Sequence, residues 1–176
     1  KAVRASGAQL IADEVMTGFG RTGTTFACQK EKVAPDFLCV AKGLTGGYLP
    51  MAATLTTQAV FDAFLGEYEE FKTFFHGHSY TGNQLGAAVA LASLEILRGA
   101  ESKRKRRRLE KLLRDELQTL WSLASVGDVR QEGLVAGVEL VADWRTRKAF
   151  PLKAQAGIRV CEAMAQRGVL TRPIGN

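Results

Sequence analysis

The chain has 176 residues, of which 46% are hydrophobic and 24% are charged, and its formal net charge at pH 7 is +6. This is a globular composition, with apolar residues for one core or slightly more. No apolar run approaches the roughly 18 residues of a membrane-spanning helix, so we expect no membrane association. Cys28, Cys39 and Cys161 form no C-x-x-C pair, which argues against a disulfide framework and a structural zinc site and suits the cytoplasm.

Both ends of the chain look cut. It opens with KAVRASGAQL, which has neither a Met nor the apolar stretch of a signal peptide. It stops with GVLTRPIGN, directly after what reads as a strand and a turn. We therefore expect a fragment of a longer protein.

The first part of the chain predicts an α/β unit. Strands are predicted at residues 8–13, 36–42 and 51–57. A short helix through residues 26–33 should end before Pro35, and a second short helix covers residues 58–65. The Ala-rich segment 84–97 is apolar around most of its circumference, which predicts a helix buried on several sides.

The second part predicts an α+β unit. A helix over residues 101–123 is indicated by an apolar stripe of Leu109, Leu112, Leu113, Leu117, Leu120 and Trp121. Residues 126–133 and 134–143 alternate like paired strands, residues 151–168 look helical, and residues 168–173 start another strand. Because the order of elements changes near residue 99, we predict a domain boundary there.

The run Lys103–Arg108, KRKRRR, contributes six cations, so the rest of the chain is neutral on balance. Basic runs occur in nucleic-acid-binding proteins, and a basic nucleic-acid-binding fragment is one alternative. However, no aromatic residue interleaves the cations to stack on bases, and the leucine stripe continues directly from them. We therefore interpret the run as the solvated first turns of a helix and expect no nucleic-acid partner.

GFGRTG at residues 18–23 fits the G-x-G-x-x-G pattern of a dinucleotide-binding turn. In that motif the strand runs directly into the first glycine, and a long helix follows the last. Here Asp13 and Glu14 lie between the strand and Gly18, and Pro35 leaves room for only a short helix. The glycines are therefore expected to allow a tight, close-packed loop instead.

Asp13 and Lys42 each follow an apolar strand. Lys42 also precedes glycines, so a rigid backbone would present it, partly desolvated, as an amine nucleophile. A lysine and a carboxylate on neighbouring strand ends are what pyridoxal 5'-phosphate (PLP) needs, for its Schiff base and for its protonated pyridine nitrogen. On these residues alone, an Asp–Lys ion pair without chemistry remains an equal alternative.

Longer stretches carry a family resemblance, namely LIADEVMTGFGRTG, PDFLCVAKGLTGGYLPMAATLTT, FHGHSYTGNQLGAAVALASLEIL, VGDVRQEGLVAGVELV and GVLTRPIGN. Together they resemble the class III PLP-dependent aminotransferases over essentially the whole chain. The resemblance implies the α/β fold of fold type I, as in aspartate aminotransferase. Residues 1–99 would be the C-terminal part of the large PLP-binding domain, and residues 100–176 the beginning of the small α+β C-terminal domain. The N-terminal half and the extreme C-terminus would lie outside this chain.

The resemblance also implies roles for individual residues. Asp13 would be the catalytic partner of the pyridine nitrogen. Lys42 would be the catalytic lysine that binds PLP and carries the proton. Val15 would pack against one face of the cofactor ring.

The segment Gly77-His78-Ser79 matches a loop that crosses the dimer interface in this family. Ser79 and the backbone of His78 would bind the phosphate of the neighbouring subunit's PLP, and Gly77 would line the substrate channel. Arg172 would hold the substrate carboxylate, a role that suits a bidentate guanidinium. The resemblance thus implies a homodimer with shared active sites. His76 and His78 lack a third ligand, so we expect no metal.

Finer features, CVAKGLTGGYLPMAATLTT, HGHSYTGNQLG and TRPIGN, are similar to the subfamily that converts 8-amino-7-oxononanoate to 7,8-diaminononanoate in biotin biosynthesis. The implied partners are small molecules, namely that substrate and an amino donor, either adenosylmethionine or lysine. Another class III omega-aminotransferase, acting on a different amine and keto acid, is the alternative. A fragment of such an enzyme is expected to be inactive alone.

Overall fold

The computed structural model describes residues 2–175, apart from the side chain of Arg4. Asn176, the last residue of the TRPIGN motif, lies outside this range. The described residues divide into two compact units, one ending at Arg108 and the other beginning at Leu109. The boundary expected near residue 99 concerns the domains of the whole protein and stays a prediction.

The first unit contains a mixed sheet. Its strands in the described residues are β1 (Ile11–Asp13), β2 (Phe37–Val40) and β3 (Ala53–Thr56), in the order β1-β2-β3. β1 and β2 run parallel, with Asp13 opposite Cys39, whereas β3 is antiparallel to β2. The three predicted strands are confirmed, although each is shorter than its apolar segment.

The helices of this unit are α1 (Ala2–Ala5), α2 (Gln58–Asp62), α3 (Gln84–Arg98) and the start of α4 (Ala100–Gln118). Oδ1 of Asn83 accepts the N–H groups of Leu85 and Gly86 and so caps the start of α3. The helix expected through residues 26–33 is reduced to a 3-10 turn, Ala27–Gln29.

Burial of α3 on several sides is not found. Gly86 and Ala90 are buried, but Leu85, Leu91 and Ile96 are 73%, 70% and 68% exposed. The reason is that, within residues 2–175, the remaining faces of the helix have no element covering them. The prediction was therefore wrong for this chain, where α3 packs on one face only.

The core of the first unit joins the end of β2 to α3. Val40, Leu44 and Ala90 are buried in it, with Phe19, Phe26, Leu38, Met51 and Leu94 packed around them. Val40 ends β2 and Leu44 lies in the turn that follows, so the core fixes the backbone on both sides of Lys42.

The second unit contains antiparallel strands. In the described residues these are β4 (Val126–Glu132), β5 (Val135–Asp143) and β6 (Lys148–Ala149), and α5 (Ala156–Ala165) follows them. The predicted strand pair is confirmed, and the predicted helix over 151–168 is shorter than expected. The strand predicted at 168–173 is wrong, because residues 169–175 find no neighbouring strand in the described chain to complete a ladder.

Helix α4 carries the basic run in its first half and is followed by a 3-10 turn, Thr119–Ser122. The predicted stripe is only partly buried, since Leu109, Leu112 and Trp121 are 51%, 52% and 48% exposed. Among the described residues, no helix has both the length and the apolar character needed to cross a membrane.

Candidate active site

Asp13 and Lys42 lie at the same edge of the mixed sheet. Asp13 ends β1, and Lys42 follows the end of β2 by way of Ala41. Because the two strands are parallel neighbours, both residues emerge at the carboxyl edge, where α/β sheets bind ligands. The predicted placement on neighbouring strand ends is confirmed, and the chemical roles of the two residues remain predictions.

The Asp13 carboxylate is exposed and held from one side. Its Oδ1 accepts the backbone N–H of Val15 at 3.0 Å, which forms a tight turn directly after the strand. Val15 itself is half-buried. This turn fixes the orientation of a carboxylate that is otherwise open to a ligand.

Lys42 has an unusual backbone conformation. Its φ of 46° is left-handed, and it begins a 3-10 turn, Lys42–Thr45, after an extended Ala41. A non-glycine residue in this region costs about 1–2 kcal/mol, and such residues occur preferentially at functional sites. Lys42 is exposed, so its expected partial desolvation is not found in this chain; the buried residues of the turn are Leu44 and Thr45.

Neighbouring elements hold the Lys42 turn on two sides. A Cβ on Gly43 would lie 3.0 Å from Cβ of Phe19, so only glycine fits there without displacing that ring. From α3, Oγ of Ser93 donates to the Gly43 carbonyl at 3.3 Å. Thr45 is 1% exposed and donates to the Leu49 carbonyl at 2.6 Å. The backbone that carries Lys42 is therefore fixed independently of its side chain.

Glu14, next to Asp13, was missed as a functional candidate. It is 2% exposed, and its carboxylate accepts hydrogen bonds from Oγ1 of Thr17 at 2.5 Å and from the N–H groups of Ala27 and Cys28 at 2.9 and 2.8 Å. Burial raises the pKa of Glu14, but these hydrogen bonds outweigh it and leave the pKa below its ordinary value. Burial and the adjacent Glu14 carboxylate raise the pKa of the Cys28 thiol.

The glycine loop is the structure that Glu14 holds. Gly20 and Gly23 have φ values of 94° and 96°, which confirms the expected need for backbone freedom there. The sequence offered one local signal for Glu14, namely a threonine at i+3, Thr17, that can bond an acidic side chain directly after a strand; it gave no signal for the bonds from Ala27 and Cys28.

The loop around Ser79 is exposed throughout residues 71–82. The His78 N–H donates to Oγ1 of Thr81 at 3.1 Å, and Nδ1 of His78 accepts the Tyr80 N–H at 3.0 Å. In the described residues, no hydrogen bond joins Gly77, His78 or Ser79 to Asp13 or Lys42. To bind a phosphate, the His78 N–H would exchange Thr81 for the ligand.

Arg172 is exposed in the segment after α5 and belongs to the second unit.

No three His, Cys, Asp or Glu side chains within residues 2–175 come together as metal ligands. The cysteines of the described chain, Cys28, Cys39 and Cys161, are unpaired thiols and half-buried.

The sequence profile of the family described as aminotransferase class-III matches residues 2–176. The chain belongs to this family. A curated member, adenosylmethionine-8-amino-7-oxononanoate aminotransferase of Aquifex aeolicus, is 53% identical over 167 residues, which are 95% of this chain and 37% of that protein. The chain thus spans well under half the length of this class-III aminotransferase.

Solved class-III aminotransferases have the same fold. The adenosylmethionine-8-amino-7-oxononanoate aminotransferase of Methanocaldococcus jannaschii superposes with a TM-score of 0.93 at 47% identity, covering 99% of this chain and 41% of that one. An amine transaminase from an uncultivated Pseudomonas species, solved in a PLP-bound form, gives 0.90 at 39% identity, covering 99% and 40%. These similarities confirm the predicted α/β, fold-type-I class.

Proposed function

We propose that the protein containing this chain is a PLP-dependent aminotransferase that converts 8-amino-7-oxononanoate to 7,8-diaminononanoate in biotin biosynthesis. The observation that carries the proposal is the pairing of Asp13 and Lys42 on parallel strand ends, in a chain 53% identical to a relative named for that substrate. The amino donor would be adenosylmethionine or lysine, and the relative's name favours adenosylmethionine.

The residues at the strand ends fit PLP. Asp13 offers a carboxylate that is exposed and oriented by Val15, which suits a protonated ring nitrogen. Lys42 offers an exposed primary amine on a backbone fixed by Phe19 and Ser93. A rigid carboxylate and a rigidly mounted amine at one sheet edge are the donor set that this cofactor requires.

When bound, PLP would supply an electron sink for the electron pair that remains when the proton at the reacting carbon is removed. Asp13 would keep the proton on the ring nitrogen, while Nζ of Lys42 would first hold the cofactor and then move the proton at the reacting carbon. Val15 would support one face of the ring. The guanidinium of Arg172 would orient a substrate carboxylate through two parallel hydrogen bonds.

Assembly is part of the proposal. Ser79 and the His78 backbone would bind the cofactor phosphate of a second subunit, with Gly77 lining that subunit's substrate channel, so that a homodimer would share its active sites. The exposure of the loop supports this, since Phe75 and Tyr80 are 77% and 79% exposed and exposed aromatic clusters are typical of interfaces. Residues 1–99 would belong to the large domain and residues 100–176 to the small one, in a cytoplasmic enzyme.

The test is an assay of the full-length protein with PLP and 8-amino-7-oxononanoate, with adenosylmethionine and lysine compared as donors. We expect 7,8-diaminononanoate with one donor, and borohydride reduction should leave the cofactor mass on the Lys42 peptide. Turnover only with other amines and keto acids would instead favour the alternative of a different omega-aminotransferase. A cofactor mass on any other lysine would contradict the proposed site.

A further inference from the structure

Glu14 is a buried carboxylate for which the proposed chemistry has no use. It directly follows Asp13, is 2% exposed, and accepts hydrogen bonds from Thr17, Ala27 and Cys28. All of these donors belong to one loop, residues 14–28. The carboxylate therefore closes that loop by bonding its far end, at Ala27 and Cys28, back to the end of β1.

The same loop packs against the turn that carries Lys42. Phe19, at its centre, has a left-handed φ of 59° and lies so close to Gly43 that an added Cβ would be 3.0 Å from Cβ and 3.1 Å from Cδ2 of the phenylalanine. Phe19 and Phe26 also contact each other edge to face, with centroids 5.6 Å apart. The closed loop thus forms one wall against the backbone next to Lys42.

The backbone of Glu14 acts on the other half of the site. Its N–H donates to the Cys39 carbonyl at 2.9 Å and extends the β1–β2 pairing past Asp13. Its carbonyl accepts the Gly18 N–H at 2.9 Å. One residue therefore links the position of Asp13 to the loop that supports Lys42.

We infer that Glu14 is a positioning residue, whose carboxylate holds the loop 14–28, and through it Phe19, against the Lys42 turn while its backbone fixes Asp13 beside β2. The inference rests on the proposed function, since it concerns the alignment of the same two residues. It assigns Glu14 no contact with substrate or cofactor.

A carboxylate is needed here because every partner is a donor. Oε2 accepts from Thr17 and Ala27, and Oε1 accepts from Cys28. A glutamine has only one acceptor oxygen. In either orientation of its amide, the NH₂ group would therefore face a backbone N–H donor, that of Ala27 or that of Cys28. Glu14→Gln therefore keeps the size of the side chain and breaks the closure of the loop.

The experiment compares Glu14→Gln with Glu31→Gln, an exposed glutamate beyond the loop, in the full-length protein with PLP. For Glu14→Gln we expect kcat per bound PLP to fall about ten- to a hundredfold, as small misplacements of reacting groups do, with little change in KM. The visible circular dichroism of bound PLP should also change, because Asp13 and Lys42, the residues that would hold the ring, would both be displaced. Glu31→Gln should behave as wild type.

A purely structural role would lower the melting temperature and the yield of active protein but leave kcat per bound PLP and the cofactor dichroism unchanged. That result would overturn the inference and leave the proposed function intact. If Glu14→Gln does not fold, Phe19→Leu tests the same contact between the loop and the Lys42 turn. An unchanged kcat per bound PLP and an unchanged cofactor dichroism in Phe19→Leu would equally overturn the inference. Failure of the proposed function is seen separately, as a wild-type protein without aminotransferase activity.

Discussion

Two loops near the sheet differ in how they obtain their structure. Residues 14–28, the anchored loop, close on the buried Glu14 and place Phe19 and Phe26 against the core. Residues 71–82, the exposed loop, make hydrogen bonds among themselves and leave Phe75 and Tyr80 in solvent. The anchored loop is determined by contacts within this chain, whereas the exposed loop presents its side chains outward.

The difference separates the two halves of the proposed site. Asp13 and Lys42 depend on the anchored loop and the core, so their arrangement is preorganised by the chain itself. Gly77, His78 and Ser79 lie on the exposed loop and would act only where another surface meets them. Substitutions in the first half should therefore affect chemistry, and substitutions in the second should affect cofactor retention and assembly.

The largest effect is expected for Lys42→Ala in the full-length protein. Activity should fall by many orders of magnitude, because the covalent anchor and the proton carrier are lost together while the fixed backbone around Gly43 preserves the fold. Steady-state kinetics measure the loss of activity, and a melting curve shows whether the fold is preserved. Near wild-type turnover would show that the strand-end pair is not the catalytic centre.

Asp13→Asn should come next. The amide keeps the turn with Val15, since its oxygen can still accept that N–H, but a neutral group cannot hold the proton on a ring nitrogen. We expect most activity to be lost while PLP remains bound, as read from absorbance after gel filtration. Normal turnover in this variant would mean that the cofactor ring lies elsewhere.

The sequence predicted this first half well because its signals are local. Apolar runs that end at Asp13 and Lys42 predicted the two strands and the placement of both residues on neighbouring strand ends; the parallel pairing is seen in the structure. What it could not predict were long-range contacts, such as Phe19 against Gly43 or Ala27 and Cys28 bonding to Glu14, because no residue type encodes which loop folds back on it. The strand predicted at 168–173 and the predicted burial of α3 on several sides both require neighbouring elements, and the described residues supply none at these places.

Ser79→Ala probes the exposed loop. Loss of one hydrogen bond to phosphate should weaken PLP binding by roughly 1.5–3 kcal/mol, about ten- to a hundredfold, with kcat at saturating PLP little changed. Equilibrium dialysis against PLP measures it. The fold should be unaffected, because the loop's own bonds run through His78 and Thr81. An unchanged affinity would remove Ser79 from the phosphate site.

A mixed dimer of Ser79→Ala and Lys42→Ala chains sharpens the same point. Suppose that Ser79 serves the other subunit. The Lys42→Ala chain's site then also receives the substituted Ser79 of its partner, whereas the site in the Ser79→Ala chain has its own Lys42 and an intact Ser79 from the partner. About half of wild-type activity should therefore return at limiting PLP. If Ser79 serves its own subunit, each site carries one defect and activity stays low. Mass spectrometry verifies the mixing.

A pH effect should distinguish the anchored loop. The pKa of Glu14 is lowered in the folded state, so its stabilisation is complete above the unfolded value of about 4.5 and is lost as pH falls through the lower, folded value. The wild-type protein should therefore have a higher melting temperature than Glu14→Gln at pH 7, and the difference between the two melting temperatures should become smaller below pH 4.5. A difference in melting temperature that stays constant with pH would show that the ionised carboxylate of Glu14 is not what closes the loop.

The smallest effect concerns the basic run, which is not uniform. Arg106 is half-buried; its Nε would lie 2.8 Å from a Cβ on Gly20 of the anchored loop, and Nη2 donates to the Leu97 carbonyl at 3.1 Å. Arg107 is exposed. Arg106→Gln should therefore cost about 1 kcal/mol of stability, and Arg107→Gln less than about 0.5, by chemical denaturation.

Aminotransferase activity should change little in either variant, because neither arginine belongs to the proposed site and the carboxylate of Glu14 still closes the anchored loop. Any DNA affinity should be weak and should decrease with modest salt to a similar degree in both, since contacts with phosphate alone depend on charge and not on burial. Equal stability losses would show that Arg106 does not brace the anchored loop. A salt-resistant, sequence-selective DNA complex abolished by Arg107→Gln would instead give the run a function of its own.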